Sequence, residues 1–418
     1  MPKPTDTPSV TPSVTASEAR TLGYLIPQFP GQTHIFFWRE ICAAQVMGTP
    51  IALFSTRMPH AGLISHDWSD AAIARTDYLG AIKPLAALRT MLRISPRFWW
   101  GELQRSGMDF AKDLAICAAA ADQLHRQCRA RGIRHVHVHS CGRAALIAAL
   151  ACQLGDLTYS LTLHGPLSDY GSGQYLKWSG ASFATIITQR LLIEMGSDLG
   201  EALPALIEIQ PMGVDTGALK RPTPYQPAAK NASLRLFTCG RLNIVKGHQD
   251  LLTAVRLLVD QGIDVQLDIA GEDDDGGQGY HQTLAALLTD LNLQNHVRLL
   301  GAISNDAVRD HLLRAHIFVL ASWHEPLGVA YMEAMSCGVP TIGTNAGGVP
   351  ELINDGIDGI LVAPKDPAAL AAAITSIATS PDKARALGVA GRARIVSGFD
   401  SRVGAQTILS LTRQIDRL

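Results

Sequence analysis

From Thr21 onward the chain alternates short apolar runs with longer amphipathic segments. TLGYLIP is followed by the loop PQFPGQT, a helical pattern from about Thr33 to Met47, and a second apolar run, PIALFS. Similar runs return at RHVHVHS, LTYSLTLH, FATIITQ and LIEIQ, and a second set follows in LRLFTCG, DVQLDIAG, HVRLLG, AHIFVLAS, VPTIGT and GILVAP. Apolar strands alternating with helices predict parallel sheets covered on both faces. The expected fold class is therefore α/β, with two Rossmann-like, doubly wound domains facing across a cleft. The first set closes near Gln210. PMGVD and the proline-rich TGALKRPTPYQPAAKNAS supply a linker over about Met212 to Ser233. FDSRVGAQTILSLTRQIDRL reads as a final amphipathic helix, expected to return to the first domain. The division expected is a lead-in at 1–18, a first domain at 19–212, a second at 213–395 and the C-terminal helix at 396–418.

Composition narrows the class. The 418 residues carry 36 basic and 37 acidic side chains, a net charge of −1, so nothing points to nucleic acid as a partner. No apolar run approaches the ~20 residues that cross a bilayer; one of the longest, Ala144 to Cys152, is less than half of that. Residues 1–18 repeat TPSV without the apolar core of an export signal and are expected to be a disordered lead-in. The seven cysteines are scattered and form no C-x-x-C, which fits a reducing cytoplasm. Between Lys83 and Arg105, basic residues interleave with Phe98, Trp99 and Trp100. That stretch reads either as a contact with a membrane surface or as a helix packed on the first domain.

Candidate chemistry gathers between Trp323 and Pro364. Glu325 precedes Pro326, and proline favours the first helical position, so Glu325 is expected at a helix mouth. Glu333 lies eight residues on, which in one continuous helix places the carboxylates roughly 12 Å apart along the axis. That spacing is too long for an acid/base pair on one bond. It suits two hydroxyl-rich ends of one ligand with an anion between them at the helix N-terminus. A sugar joined to a ribose by a diphosphate has this shape. Upstream, Gly240-Arg241-Leu242 follows a strand and Lys246-Gly247 precedes a helix, an arrangement suited to phosphate.

In the first domain His164 and His139 end strands, and His135, His137 and His139 alternate on one strand face. A metal site is not expected, because no carboxylate or cysteine falls at a matching offset in sequence. His164 is the better candidate for a ligand hydroxyl or a developing charge. The acidic run Glu272 to Asp275 lacks calcium-loop spacing and reads as a solvated turn. Gly171-Ser172-Gly173 does not complete a dinucleotide motif, and no P-loop occurs.

With these residues in place the chain resembles a GT-B glycosyltransferase of the retaining family GT4, and within it the bacterial exopolysaccharide and lipopolysaccharide transferases. The resemblance rests on Glu325/Glu333 with EAMSCGVPTIGT and GGVPELI, the GRL-x3-KG loop at Gly240 to Gly247, PMGVD, and TLHG at Thr162 to Gly165. It implies that Arg241 and Lys246 neutralise a donor diphosphate, with Gly240 beside them, and that Glu333 holds ribose hydroxyls. It further implies that Glu325 and the backbone N–H groups of Leu327, Gly328 and Val329 meet the sugar and phosphate. His164 would approach the sugar from the opposite, acceptor-binding domain, and Leu300-Gly301 would take the base. The first loop departs from the family pattern at Gln32 to Phe36, which bears on acceptor recognition.

The resemblance also implies a retaining, metal-independent transfer from a UDP- or GDP-sugar to a saccharide or lipid-linked acceptor, in which the leaving diphosphate takes the acceptor proton. The nucleotide sugar is a substrate, so no cofactor is expected. The product expected is a cell-surface polysaccharide, made in the cytoplasm at or near the inner membrane face. The alternatives are a nucleotide-sugar epimerase or a sugar phosphorylase on the same architecture, or a non-catalytic nucleotide-sugar-binding subunit of a polysaccharide assembly complex.

Overall fold

The computed structural model describes residues 20–31, 34–59, 68–80, 83–230, 232–273 and 279–416. The expected lead-in at 1–18, residues 32–33 of the first loop and residues 274–278 after the start of the acidic run lie outside them.

Thirteen strands are formed among the described residues. The first seven are β1 (Leu22–Gln28), β2 (Ile51–Arg57), β3 (Thr76–Tyr78), β4 (His135–His139), β5 (Thr158–Leu163), β6 (Ala184–Ile186) and β7 (Ile207–Ile209). They make one parallel sheet in the order β3-β2-β1-β4-β5-β6-β7. The remainder are β8 (Leu234–Cys239), β9 (Val265–Ala270), β10 (Val297–Gly301), β11 (Ile317–Val319), β12 (Thr341–Thr344) and β13 (Ile360–Val362). Their order is β10-β9-β8-β11-β12-β13, again all parallel. Strand order reverses between β1 and β4 and between β8 and β11, and at such switch points loops diverge to leave a crevice at the carboxyl ends of the strands. The two-domain Rossmann-like expectation is met. Among the described residues, no helix is long and apolar enough to cross a membrane.

The C-terminal helix, Ser401–Ile415, packs on helix Ile35–Val46 of the first domain. Ile408, Leu409 and Ala405 close a buried cluster with Phe37, Ile41 and Leu22. The chain thus crosses between domains twice, at Val214 and at Asp400, and the crossings touch. Val214 N donates to Phe399 O and Ser401 N to Val214 O, both at 2.9 Å. Gly213 allows this approach, since a Cβ there would lie 2.3 Å from the Asp400 carbonyl carbon.

Two local expectations change. The 212–233 segment is not a loose tether, because Val214, Thr216 and Leu219 are buried. Arg221 binds the carbonyls of Leu312, Leu313 and Cys337, so the segment is laid along the second domain by hydrogen bonds that its polar composition conceals. The second change concerns Pro326, which does not open a helix. That helix runs Val329–Ser336 with Gly328 as its N-cap at φ +98°, because the Glu325 carbonyl is taken by Gly348 N at 2.9 Å. Glu325 therefore sits in the β11 loop rather than at a helix mouth, and the axial spacing inferred for the two glutamates does not apply.

Asp400 fastens the second crossing, receiving hydrogen bonds from the Thr216 hydroxyl and the Arg402 backbone and guanidinium. Burial pushes its carboxyl up, but the hydrogen bonds from Arg402 and Thr216 outweigh this and bring it down to about 2. A folded-state value below the ordinary ~3.9 means stabilisation that is complete above that pH and lost as the pH falls through about 2. Comparing the thermal unfolding of wild type with Asp400→Asn should therefore show a stability gap at pH 6 that closes between about pH 4 and pH 2.

Candidate functional site

The loops leaving β8 and β11 cross at the switch point of the second sheet. Gly247, at φ +66°, lies where a Cβ would fall 1.9 Å from Ala321 O. Trp323 N donates to Val245 O at 2.7 Å, and Trp323 Nε1 donates to Asp250 at 2.6 Å. This clamp brings Lys246 onto Glu325, whose Oε2 accepts from the Lys246 ammonium and from the Ser322 hydroxyl at 3.2 Å. Behind them, burial and then the nearby Lys246 charge push His248 down to about 4, so it adds no positive charge to the loop. Arg241 stands exposed at the start of the same loop.

The neighbouring positions fall along the same edge of the sheet. Gly240 follows β8, and its carbonyl lies 1.8 Å from where a Cβ on Gly271 would be. Leu300 and Gly301 end the edge strand β10, and Gly301 O accepts from Gly271 N at 2.9 Å. Leu327, Gly328 and Val329 lead into the helix after β11, where first-turn N–H groups lack intrahelical partners. Arg241, Lys246, Glu325 and these backbone positions thus gather at the carboxyl ends of one sheet, as the sequence predicts.

Two features of the cleft were not legible beforehand. Glu333, expected to face a ribose, is paired with Arg39 of helix Ile35–Val46 at 2.8 Å, a bridge between the domains with both side chains nearly buried. The GGVPE loop also docks on the first domain, where Glu351 accepts from Gln189 N at 2.6 Å and Arg190 N at 2.9 Å, at the start of helix Gln189–Leu199. Neither partnership leaves a periodicity or spacing signal, because both partners are hundreds of residues apart.

His164 is where the sequence puts it. It follows β5, and its neighbour Gly165 approaches the second domain so closely that a Cβ there would meet Pro326 at 3.9 Å. Burial, then His139 and His34, push His164 well below its ordinary value, so it is neutral. The alternating histidines of β4 form a ladder with the hydroxyls of β5. His135 bonds Thr158 and Ser160, and His137 bonds Ser160 and Thr162, at 2.7–2.8 Å. Burial lowers His135 to about 3. One point is corrected. A carboxylate does reach these histidines, since Glu40 from the adjacent helix comes within metal-binding distance of His137 and His139. It was missed because it lies on another element. Both His137 nitrogens are already hydrogen-bonded, so the group fits a hydrogen-bond network better than an ion.

Comparison with known proteins follows the same lines. Residues 224–394 match the family model Glycosyl transferases group 1. Over 312 residues the chain is 28% identical to a GDP-mannose-dependent monoacylated alpha-(1-6)-phosphatidylinositol monomannoside mannosyltransferase from Corynebacterium glutamicum, covering 69% of this chain and 78% of that one. Over 300 residues it is 29% identical to a glycogen synthase from Mycobacterium tuberculosis, covering 67% of each. The crystal structure of Anabaena Alr3699/HepE in complex with UDP superposes with a TM-score of 0.72 at 17% identity, covering 96% of this chain and all of that one. The chain has the GT-B fold, and its residues 224–394 carry a Glycosyl transferases group 1 domain.

Proposed function

We propose that the protein is a retaining, metal-independent GT4-type hexosyltransferase, moving a sugar from a UDP- or GDP-sugar to a saccharide or lipid-linked saccharide during cell-surface polysaccharide synthesis. The observation that carries this reading is the Lys246–Glu325 pair clamped at the switch point, with Pro326, next to Glu325, lying close to Gly165, next to His164, on the other domain. An anionic diphosphate competes with Glu325 for Lys246 and recruits Arg241, which frees the Glu325 carboxylate for sugar hydroxyls. The ribose likewise displaces Arg39 from Glu333, and the base lies toward Leu300-Gly301.

In this reading the acceptor oxygen attacks the anomeric carbon from the face that the diphosphate leaves. The bond from that carbon to the diphosphate oxygen breaks, and a diphosphate oxygen takes the acceptor proton. The products are a glycoside and a nucleoside diphosphate. Lys246 and Arg241 stabilise the charge that develops on the leaving group, fixed in position before the reaction begins. No enzyme nucleophile is required, and Glu325 and Glu333 each serve to bind.

In this reading the protein works on the cytoplasmic side of the membrane and touches its surface through helix Pro84–Arg93. That helix buries only Thr90 and exposes Leu85, Leu88 and Leu92 along one stripe, with Trp100 exposed nearby. Beside it a groove of about 420 Å³ is lined by Arg89, Arg93, Arg126 and Arg129. An apolar stripe flanked by guanidinium groups suits a bilayer interface with anionic headgroups.

Five measurements test these statements. A thermal-shift panel of UDP-, GDP- and ADP-sugars should identify the donor. With that donor, Lys246→Ala should lower kcat/KM on the order of a hundredfold or more, and Glu333→Ala should chiefly raise the donor KM. Cellular polysaccharide left unchanged by Glu325→Ala and Lys246→Ala but abolished by deletion of the protein would make a non-catalytic binding subunit the better reading. Turnover should persist in EDTA, and loss that Mn²⁺ restores would end the metal-independent mechanism. In co-sedimentation, the protein should bind phosphatidylglycerol vesicles, and joint Arg89, Arg93 and Arg97 to Ala substitution should abolish this.

A further inference from the structure

Behind His164 lies a chain of buried polar groups that donor binding leaves unused. Glu40 is buried on the inner side of helix Ile35–Val46, and His139, fully buried, ends β4. His139 Nε2 is 3.1 Å from Glu40 Oε1, close but off the line of a good hydrogen bond. On its other side His139 Nδ1 is 3.2 Å from His164 Nε2, and the two rings stack with centroids 5.3 Å apart. Burial first, and then the nearby Glu40 charge, push the Tyr24 phenol well above its ordinary value, so it stays protonated beside Glu40. At the far end of the chain His164 Nδ1 is buried and has no partner.

The order of these groups sets the position of each proton. A carboxylate oxygen accepts, so the nitrogen of His139 that faces Glu40 at 3.1 Å, Nε2, is the one that carries hydrogen. With its hydrogen there, His139 offers a lone pair at Nδ1. His164, kept neutral by burial, has one N–H, and it must lie on Nε2 to meet that lone pair. Nδ1 of His164 is left as a hydrogen-bond acceptor. Which nitrogen carries the proton is fixed by the bond that the other one makes.

We infer that Glu40 and His139 are positioning residues that hold His164 as an acceptor, so that the ligand reaching it must bring a hydroxyl donor. The requirement for a hydroxyl-bearing ligand rests on the proposed function; the tautomer does not. Replacing that hydroxyl with hydrogen or fluorine leaves Nδ1 orphaned, so the geometry makes His164 a point of selection among sugars. An imidazole held as a donor would instead tolerate fluorine in part.

The test uses the full-length protein without ligand, labelled with ¹⁵N-histidine, with His164→Asn to assign the signal. Wild type should show His164 protonated on Nε2 alone. In Glu40→Gln the amide can donate to His139 as well as accept, so His164 should shift to mixed or Nδ1-protonated forms, while Glu40→Asp, retaining the carboxylate, should restore the original pattern. A proton on Nδ1 in wild type, or an unchanged pattern in Glu40→Gln, overturns the inference. If Glu40→Gln does not fold, the wild-type spectrum alone decides it. With the donor identified, Glu40→Gln should lower kcat on the order of tenfold with little change in donor KM, the signature of a group acting through another. Absence of any transferase activity would refute the proposed function while leaving the NMR result to stand on its own.

Discussion

The approach of two backbones at the switch point of the second sheet is the constraint on which the site depends. The loops after β8 and β11 pass so closely that Gly247 has no room for a side chain against Ala321. That contact sets where Lys246 and Glu325 can stand. A similar economy governs Gly347, where a Cβ would fall 2.0 Å from Glu325 O. Gly347 thus packs the Glu325 backbone in place, and the Lys246 ammonium and Ser322 hydroxyl then hold its carboxylate. Preorganisation of this kind keeps a polar group in its working geometry before the ligand arrives.

The same economy extends across the cleft. Cations and carboxylates at the cleft satisfy one another, Lys246 with Glu325 and, across the domains, Arg39 with Glu333. Groups this poorly solvated would be costly to leave unpaired, so the Arg39–Glu333 bridge helps fix the two domains against each other.

Much of this was legible in the chain. The alternation of apolar runs and helices gave both sheets, and the residues after strands, Gly240 to Gly247 and Trp323 to Val329, fall at the carboxyl edge of the second sheet, where parallel sheets open. The PMGVD segment pointed to the domain junction. Other features were out of reach for physical reasons. Proline after Glu325 suggested a helix start, but a tertiary hydrogen bond to Gly348 competes for that backbone and delays the helix to Val329. The histidines of β4 looked isolated from acid, because Glu40 comes from a separate helix and only packing reveals it. Arg39, one residue earlier, bridges to Glu333 for the same reason. Periodicity records which face a residue occupies, and says nothing about what that face meets.

The paired crossings at Val214 and Asp400 carry one more consequence. Because helix Ser401–Ile415 completes a cluster begun by Leu22 and Phe37, the first domain is built from both ends of the chain, and the second is an insert within it. During synthesis the first sheet can form early, yet its outer layer stays uncovered until helix Ser401–Ile415 has left the ribosome. A premature stop shortly after Gly398 would keep the whole Lys246–Glu325 region while exposing apolar surface on the other domain, so shortened chains would be lost to aggregation before any loss of donor binding could be measured.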